Sequence, residues 1–222
     1  MKYLIVAAHP DDEALGAGAA IHNLAKKGNE VFVCLLSHWS PTRDDNLKEG
    51  IEKSHAILGV KEAVVGDFGC MRFKDEDHHA IVRFIESAIR KFEPEMVITH
   101  HPADVHIDHG VVAECTLEAI KLPQRQIDPV SPIFGVFFME VPSSTDWNIN
   151  PTGRQFAANS FISVNHEDLH AKFDAICVYK DVIRKAPHPR CRENIEALAR
   201  IRGAQSGCLL AEAFQQVFRL GL

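Results

Sequence analysis

Long hydrophobic runs are missing from these 222 residues. No stretch approaches the ~20 apolar residues that a helix needs to cross a bilayer, so no membrane span is expected. Basic blocks are missing too. The 24 Lys and Arg are mixed with 30 Asp and Glu, for a formal net charge of -6, and this argues against a nucleic-acid partner. Six cysteines stand far apart and none forms a Cys-x-x-Cys pair. An even count is compatible with disulfides, but a chain of this length does not need them. Cys34 in "VFVCLL" and Cys115 in "VVAECTLEAI" read as small core residues. No Gly-x-Gly-x-x-Gly follows the first apolar run, which disfavours a dinucleotide site. Internal repeats and low-complexity segments are also lacking. The opening "MKYLIVAAHPDD" has acids where a leader's small-residue cleavage site would fall; a cytoplasmic protein is expected.

What is present is alternation. "YLIVAA" (3–8), "EVFVCLLS" (30–37), "EAVVGDF" (62–68), "EMVITH" (95–100) and "IFGVFFMEVP" (133–142) read as strands. Amphipathic stretches at 13–28, 44–60, 76–92, 108–121, 166–183 and 192–207 read as helices. Asp11 or Asp12 can cap the first helix, and Gly28 can stop it. The polar stretch 143–160 reads as a long loop. Strands separated by helices imply parallel pairing and right-handed crossovers. Strands apolar throughout fit a sheet covered on both faces. The expected fold is α/β, a Rossmann-like three-layer sandwich with a mainly parallel central sheet, a single domain over residues 1–222.

Two strands end in polar clusters. The first runs into "HPDDE" (9–13), and the fourth into "HHPADVHIDHG" (100–110). Three adjacent carboxylates repel one another unless a cation is near. Ligands of doubly wound sheets bind outside the carboxyl ends of the strands where strand order reverses. If strands one and four are neighbours there, the two clusters meet. Zn²⁺ takes imidazole nitrogen and carboxylate oxygen, and a catalytic zinc keeps one position for water, whose pKa it lowers to about 7. The simplest ligand set is His9, Asp12 and His109. Asp11, beside the ligands, is the candidate general base. His106, as imidazolium, is placed to stabilise an oxyanion or to protonate a leaving amine, with Asp108 holding that ring.

These residues resemble a known family. "AHPDDE" at 8–13 with "HPADVHIDH" at 101–109 looks like the LmbE-like, or PIG-L, N-acetylglucosaminyl de-N-acetylases. "EVPSSTDW" at 140–147 and "RGAQSGCLLAEAF" at 202–214 extend the likeness. The resemblance implies a zinc-dependent amide hydrolase acting on an N-acetylglucosamine-type sugar or conjugate. It implies His9, Asp12 and His109 as ligands, Asp11 as base and His106 as oxyanion stabiliser or acid. It also implies homo-oligomers of unspecified size. Many members carry an Arg-x-x-Glu pair at the start of the second helix, where this chain has Leu47 and Gly50. Arg43, just upstream, is the candidate substitute for binding substrate.

Several residues have two readings. His100 and His101 either line the pocket or bond to backbone. Trp39 and Trp147 either stack on a sugar or cover a loop. Glu13 reads as a helix-start acid, Met71 and Phe73 as loop anchors, and "HPRC" (188–191) as a helix break. Two histidines and a carboxylate also suit Fe(II), so a non-haem iron oxygenase is one rival. A metal phosphoesterase and a metal- or sugar-binding module without turnover are the others.

Overall fold

The computed structural model describes residues 1–38, 47–125, 131–149 and 155–221. The chain opens with strand β1 (Lys2–Ala7), helix α1 (Asp12–Lys26), strand β2 (Glu30–Leu35), helix α2 (Leu47–Leu58) and strand β3 (Glu62–Val65). It continues with helix α3 (His78–Phe92), strand β4 (Met96–Thr99), helix α4 (Ile107–Ala119), the short helix α5 (Leu122–Arg125) and strand β5 (Gly135–Met139). Strand β6 (Ser160–Val164), helix α6 (His166–Cys177), helix α7 (Arg192–Ser206) and strand β7 (Leu210–Arg219) complete it.

Among the described residues the strands form one sheet, in the order β3-β2-β1-β4-β5-β7-β6. β1 pairs in parallel with β2 on one side and β4 on the other, with Leu4 opposite Val97 and Ile5 opposite Ile98. Strand order therefore reverses between β1 and β4, the position that brings the two polar clusters together. The central strands are apolar on both faces because helices cover both. Ile5, Ala7, Val33 and Leu35 join one core with residues of α1, α2, α6 and α7. Leu4, Val6, Phe32 and Cys34 join the other with residues of α3 and α4.

The expected α/β sandwich is present, with two additions. β6 lies just beyond the stretch that reads as a loop, and β7 is built from "LAEAFQQVFR". β7 runs antiparallel to both β5 and β6, so the sheet is mixed at this edge. Its local sequence is rich in helix-forming Ala, Glu and Gln. Pairing on both sides overrides that propensity, and Leu210 through Phe214 are buried. A buried ion pair locks this edge to the rest: Lys172 of α6 meets Glu212 of β7 at 2.5 Å, and Glu212 also accepts the Ala20 amide of α1. Gly28, at φ +81°, takes the left-handed turn after α1. No described helix is long and apolar enough to cross a membrane.

Candidate metal centre and active site

The site is built where β1 and β4 end. Past Ala7 the chain turns through His9 and Pro10 into α1. Past Thr99 it turns through His100 into the loop before α4. The two ends are stitched directly, since the Ala8 amide donates to His100 Nε2 at 2.9 Å. α4 is capped by His106, whose Nδ1 accepts the Asp108 amide, and its first turn carries Asp108 and His109 inward.

Asp12 is the hub. Its Oδ2 lies 3.2 Å from His9 Nδ1, 3.1 Å from His109 Nε2 and 3.6 Å from His100 Nε2. The far nitrogen of each principal imidazole is held by its own carboxylate. His9 Nε2 meets Asp108 Oδ2 at 2.9 Å, and His109 Nδ1 meets Asp104 Oδ2 at 3.0 Å. Asp104 is fixed in turn by the Thr145 hydroxyl and the His106 amide. Asp108 is fixed by the amides of Met71 and Phe73. Outer carboxylates of this kind set the tautomer and orientation of metal-ligating histidines. The nitrogens left facing a shared point are His9 Nδ1 and His109 Nε2.

Burial sharpens the electrostatics, since Asp12 is only 3% exposed and His109 only 2%. Burial disfavours a charged His109, but the Asp12 charge and the bonds to Asp104 and Asp12 overcome it and raise its pKa to about 9. His9 follows the same pattern: burial opposes, and the bonds to Asp108 and Asp12 carry its pKa well above 6.5. Burial would raise Asp12, yet the charge of His109 and the bonds to both rings hold it well below the usual carboxylate range. The site is thus shaped to stabilise positive charge around one carboxylate.

A divalent metal fits this donor set of imidazole nitrogens and carboxylate oxygens. Three groups bring one donor atom per residue to within 4.8 Å of one another: His9, His106 and His109; Asp12, His100 and His109; and His9, Cys70 and Asp108. The expected set of His9, Asp12 and His109 is not one of these three groups; its two imidazoles each approach Asp12 Oδ2, at 3.2 and 3.1 Å.

One expectation needs correcting and another is opposed by its surroundings. The Asp108 carboxylate holds His9, not His106, because His106 caps α4 and the helix's first turn carries Asp108 toward β1. At His106 the surroundings favour the neutral ring over the expected imidazolium. Burial first, then the charges of His109 and His9, push its pKa down to about 4. Its Nδ1 accepts a backbone amide, so the neutral ring carries its proton on Nε2.

Asp11 precedes α1 with φ at 101°, a left-handed backbone rare for a non-glycine residue. Its side chain does not cap the helix, although the sequence suggested it. Its amide donates to Glu13 Oε2, and Glu13 Oε1 lies 3.2 Å from His55 Nε2. Glu13 is therefore more than a helix-start acid. Both readings of His100 hold together, since it takes a backbone bond and reaches Asp12. His101 turns to its own loop and accepts the Ala103 amide. Trp147 is 56% exposed. Arg43 and Trp39 lie outside the described residues.

Sequence reasoning passed over Asp104, Cys70 and Arg190. Asp104 sits inside the quoted histidine-rich stretch, five residues before His109 in the same turn system, but carries no ligand spacing of its own. Cys70 and Arg190 come from distant loops and gave no signal.

Residues 4–120 match the family PIG-L: GlcNAc-PI de-N-acetylase, and the chain belongs to that family. It is 26% identical over 141 residues to a probable N-acetyl-alpha-D-glucosaminyl L-malate deacetylase 2 of Bacillus cereus, a match covering 57% of this chain and 64% of that protein. The match thus spans under two thirds of that relative's length. Among solved structures, N,N'-diacetylchitobiose deacetylase from Pyrococcus horikoshii superposes with a TM-score of 0.79 at 17% identity, covering 97% of this chain and 83% of that one. GalB, the 4-carboxy-2-hydroxymuconate hydratase of Pseudomonas putida, superposes at 0.77 with 20% identity, covering 100% and 98%. At these identities the structures establish a shared fold, and that fold includes a hydratase as well as a deacetylase.

Proposed function

We propose that this chain is a zinc-dependent N-deacetylase that hydrolyses the acetamide of an N-acetylglucosamine-type sugar or sugar conjugate, giving acetate and a free amine. Residues 1–222 are read as one catalytic domain, since β7 pairs within the sheet that β1 begins. The observation that carries the proposal is Asp12 Oδ2 between His9 Nδ1 and His109 Nε2, each ring backed by its own carboxylate. Family membership supplies the reaction class, and the named relative supplies the sugar.

His9, Asp12 and His109 would hold the metal. Zinc there would act as a Lewis acid and lower the pKa of a water to about 7. The remaining chemistry belongs to the protein. Asp11 takes the proton of the water that adds to the acetamide carbonyl, and returns it to the departing nitrogen as the C–N bond breaks. Its left-handed backbone, fixed through Glu13, sets where its carboxylate stands. Strain held at a site in this way is a recognised means of preorganisation. His106, neutral with its proton on Nε2, serves as a hydrogen-bond donor to the carbonyl oxygen as negative charge grows there.

Zinc-reconstituted protein incubated with a panel of N-acetylglucosamine conjugates tests the reading, with acetate and free amine measured in equal amounts. Release by wild type and its loss in His109→Ala, with metal content measured in both, is the expected result. Hydration of an unsaturated acid without acetate release from any sugar would instead favour hydratase chemistry on the same fold.

A further inference from the structure

The two ring nitrogens of His9 look into different chemistry. Nδ1 faces the Asp12 carboxylate, 3.2 Å from Oδ2. Nε2 faces the other way, 2.9 Å from Asp108 Oδ2, and a thiol stands on that side. One donor atom each from His9, Cys70 and Asp108 lie within 4.8 Å of one another. All three residues are buried, His9 and Cys70 at 9% exposure and Asp108 at 0%. Of the donor groups found among the described residues, this one alone contains sulfur.

A fixed loop puts the thiol there. Met71 stands in the left-handed region at φ 62°, which a non-glycine residue holds only where its surroundings over-determine it. That turn aims the Met71 amide at Asp108 Oδ2 at 2.5 Å, and the Phe73 amide meets Oδ1 at 3.1 Å. The buried Phe73 ring anchors the loop in the core shared by α3 and α4. On the other side of the thiol, Glu76 accepts the Gly69 amide. Cys70 therefore sits between two held residues. Asp108 keeps room for a further partner: two bonds reach Oδ2 and one reaches Oδ1, against about four lone-pair positions on a carboxylate.

Ligand softness separates the two faces of His9. A thiolate selects soft or borderline ions, whereas imidazole with carboxylate oxygen suits zinc and harder ones. Donors around a tetrahedral ion stand about 3.3–3.8 Å apart, so three donors already this close can close on one with small side-chain movements. A neutral imidazole has a single ring lone pair to give. An ion on Nε2 leaves the ring proton on Nδ1, where it is donated to Asp12 Oδ2 and is no longer replaceable by a metal. The Cys70 thiol proton passes to solvent.

We propose that His9 Nε2, Cys70 Sγ and the Asp108 carboxylate form a second metal site, for a thiophilic cation, whose occupation withdraws His9 from the catalytic metal position. The inference rests on His9 as a ligand of that position and is independent of what the enzyme hydrolyses. The two sites share one imidazole, so they are alternatives, and a soft ion inhibits by displacing the catalytic one.

The probe is Cd²⁺, and the parent is the full chain with Cys177→Ser and Cys208→Ser, which removes the more exposed thiols. Zinc-loaded parent, Cys70→Ala, Cys70→Ser and His109→Ala proteins are titrated with cadmium. Sulfur-to-cadmium charge-transfer absorption is recorded, and both metals are counted on the chain after gel filtration. In the parent the band should grow as zinc leaves in equal amount. Cys70→Ala and Cys70→Ser should lose the band, bind cadmium about tenfold or more weakly, at least the worth of a carboxylate behind a metal-binding histidine, and keep zinc with unchanged affinity. His109→Ala, which removes a ligand of the catalytic position alone, should keep the band. No band in the parent, a band that persists in Cys70→Ala, or one that vanishes in His109→Ala would overturn the site. Zinc retained beside bound cadmium would overturn the competition. None of these readouts uses turnover: an intact band without acetate release from any N-acetyl sugar would sink the deacetylase reading alone, and acetate release without the band would sink the second site alone.

Discussion

His9 and Asp108, ninety-nine positions apart in the chain, meet at 2.9 Å between Nε2 and Oδ2 at the junction of β1 and α4. The contact commits the other ring nitrogen to Asp12 and so decides which face of His9 a cation can use. Asp104 does the same for His109 at 3.0 Å. The proposed ligands and the carboxylates behind them lie where β1 runs into α1 and β4 runs into α4, and each segment orients a residue of the other or of itself.

Asp108→Asn and Asp104→Asn should each lower zinc affinity by about 10–100-fold, the usual worth of a carboxylate behind a metal-binding histidine. Competition against a chromophoric chelator measures it. Unchanged affinity in both variants would show that the rings are held by the surrounding packing alone.

Asp11→Asn should bind zinc with wild-type stoichiometry while kcat falls about 10²–10⁴-fold, the range for losing a general base. Metal content per chain and steady-state kinetics on the best N-acetyl substrate are the paired measurements. Full activity in this variant would remove Asp11 from the mechanism.

Zinc must bind neutral imidazoles, whereas His109 titrates at about 9 and His9 well above 6.5. Uptake at pH 7 should therefore release about two protons, one from each ring, and affinity should climb with pH until about 9. Calorimetry in buffers of different ionisation enthalpy counts them. Chelator-stripped protein should show the converse. A raised histidine pKa stabilises the fold fully below the unfolded value of 6.5, and this contribution is lost as pH rises through about 9. Its Tm should fall across that window; a Tm that rises there would contradict the assigned pairing.

Lys172→Met should cost about 3–5 kcal/mol, because it strands Glu212 as a buried unpaired charge. Glu212 also accepts the Ala20 amide, so the loss should reach α1, the helix that carries Asp12. Urea unfolding gives the magnitude. A cost under about 1 kcal/mol would place the pair among interactions with the worth of surface salt bridges.

Much of this architecture is written locally. The runs "YLIVAA" and "EVFVCLLS" are apolar at every position because both faces are covered, and the amphipathic period of 76–92 became α3. The antiparallel edge was not legible. "LLAEAFQQVFRL" has the composition of a helix, and only partners on both sides make it a strand. At the site, residue type and strand-end position were enough to nominate His9, Asp12 and His109. The depressed pKa of His106 was not, because it arises from burial and from charges on His9 and His109 that have no local signature.

By itself the sequence determined the alternating fold and the two histidine–aspartate clusters, since hydrophobic period and side-chain chemistry are properties of short stretches. Tertiary structure alone decided which carboxylate holds which ring, that Glu13 and His55 support Asp11, and that Arg190 from a proline-rich loop stands beside Asp11. These are contacts between segments far apart in the chain, and only the packing of β1 against β4, with the α6–α7 loop laid across their ends, brings them within hydrogen-bonding reach.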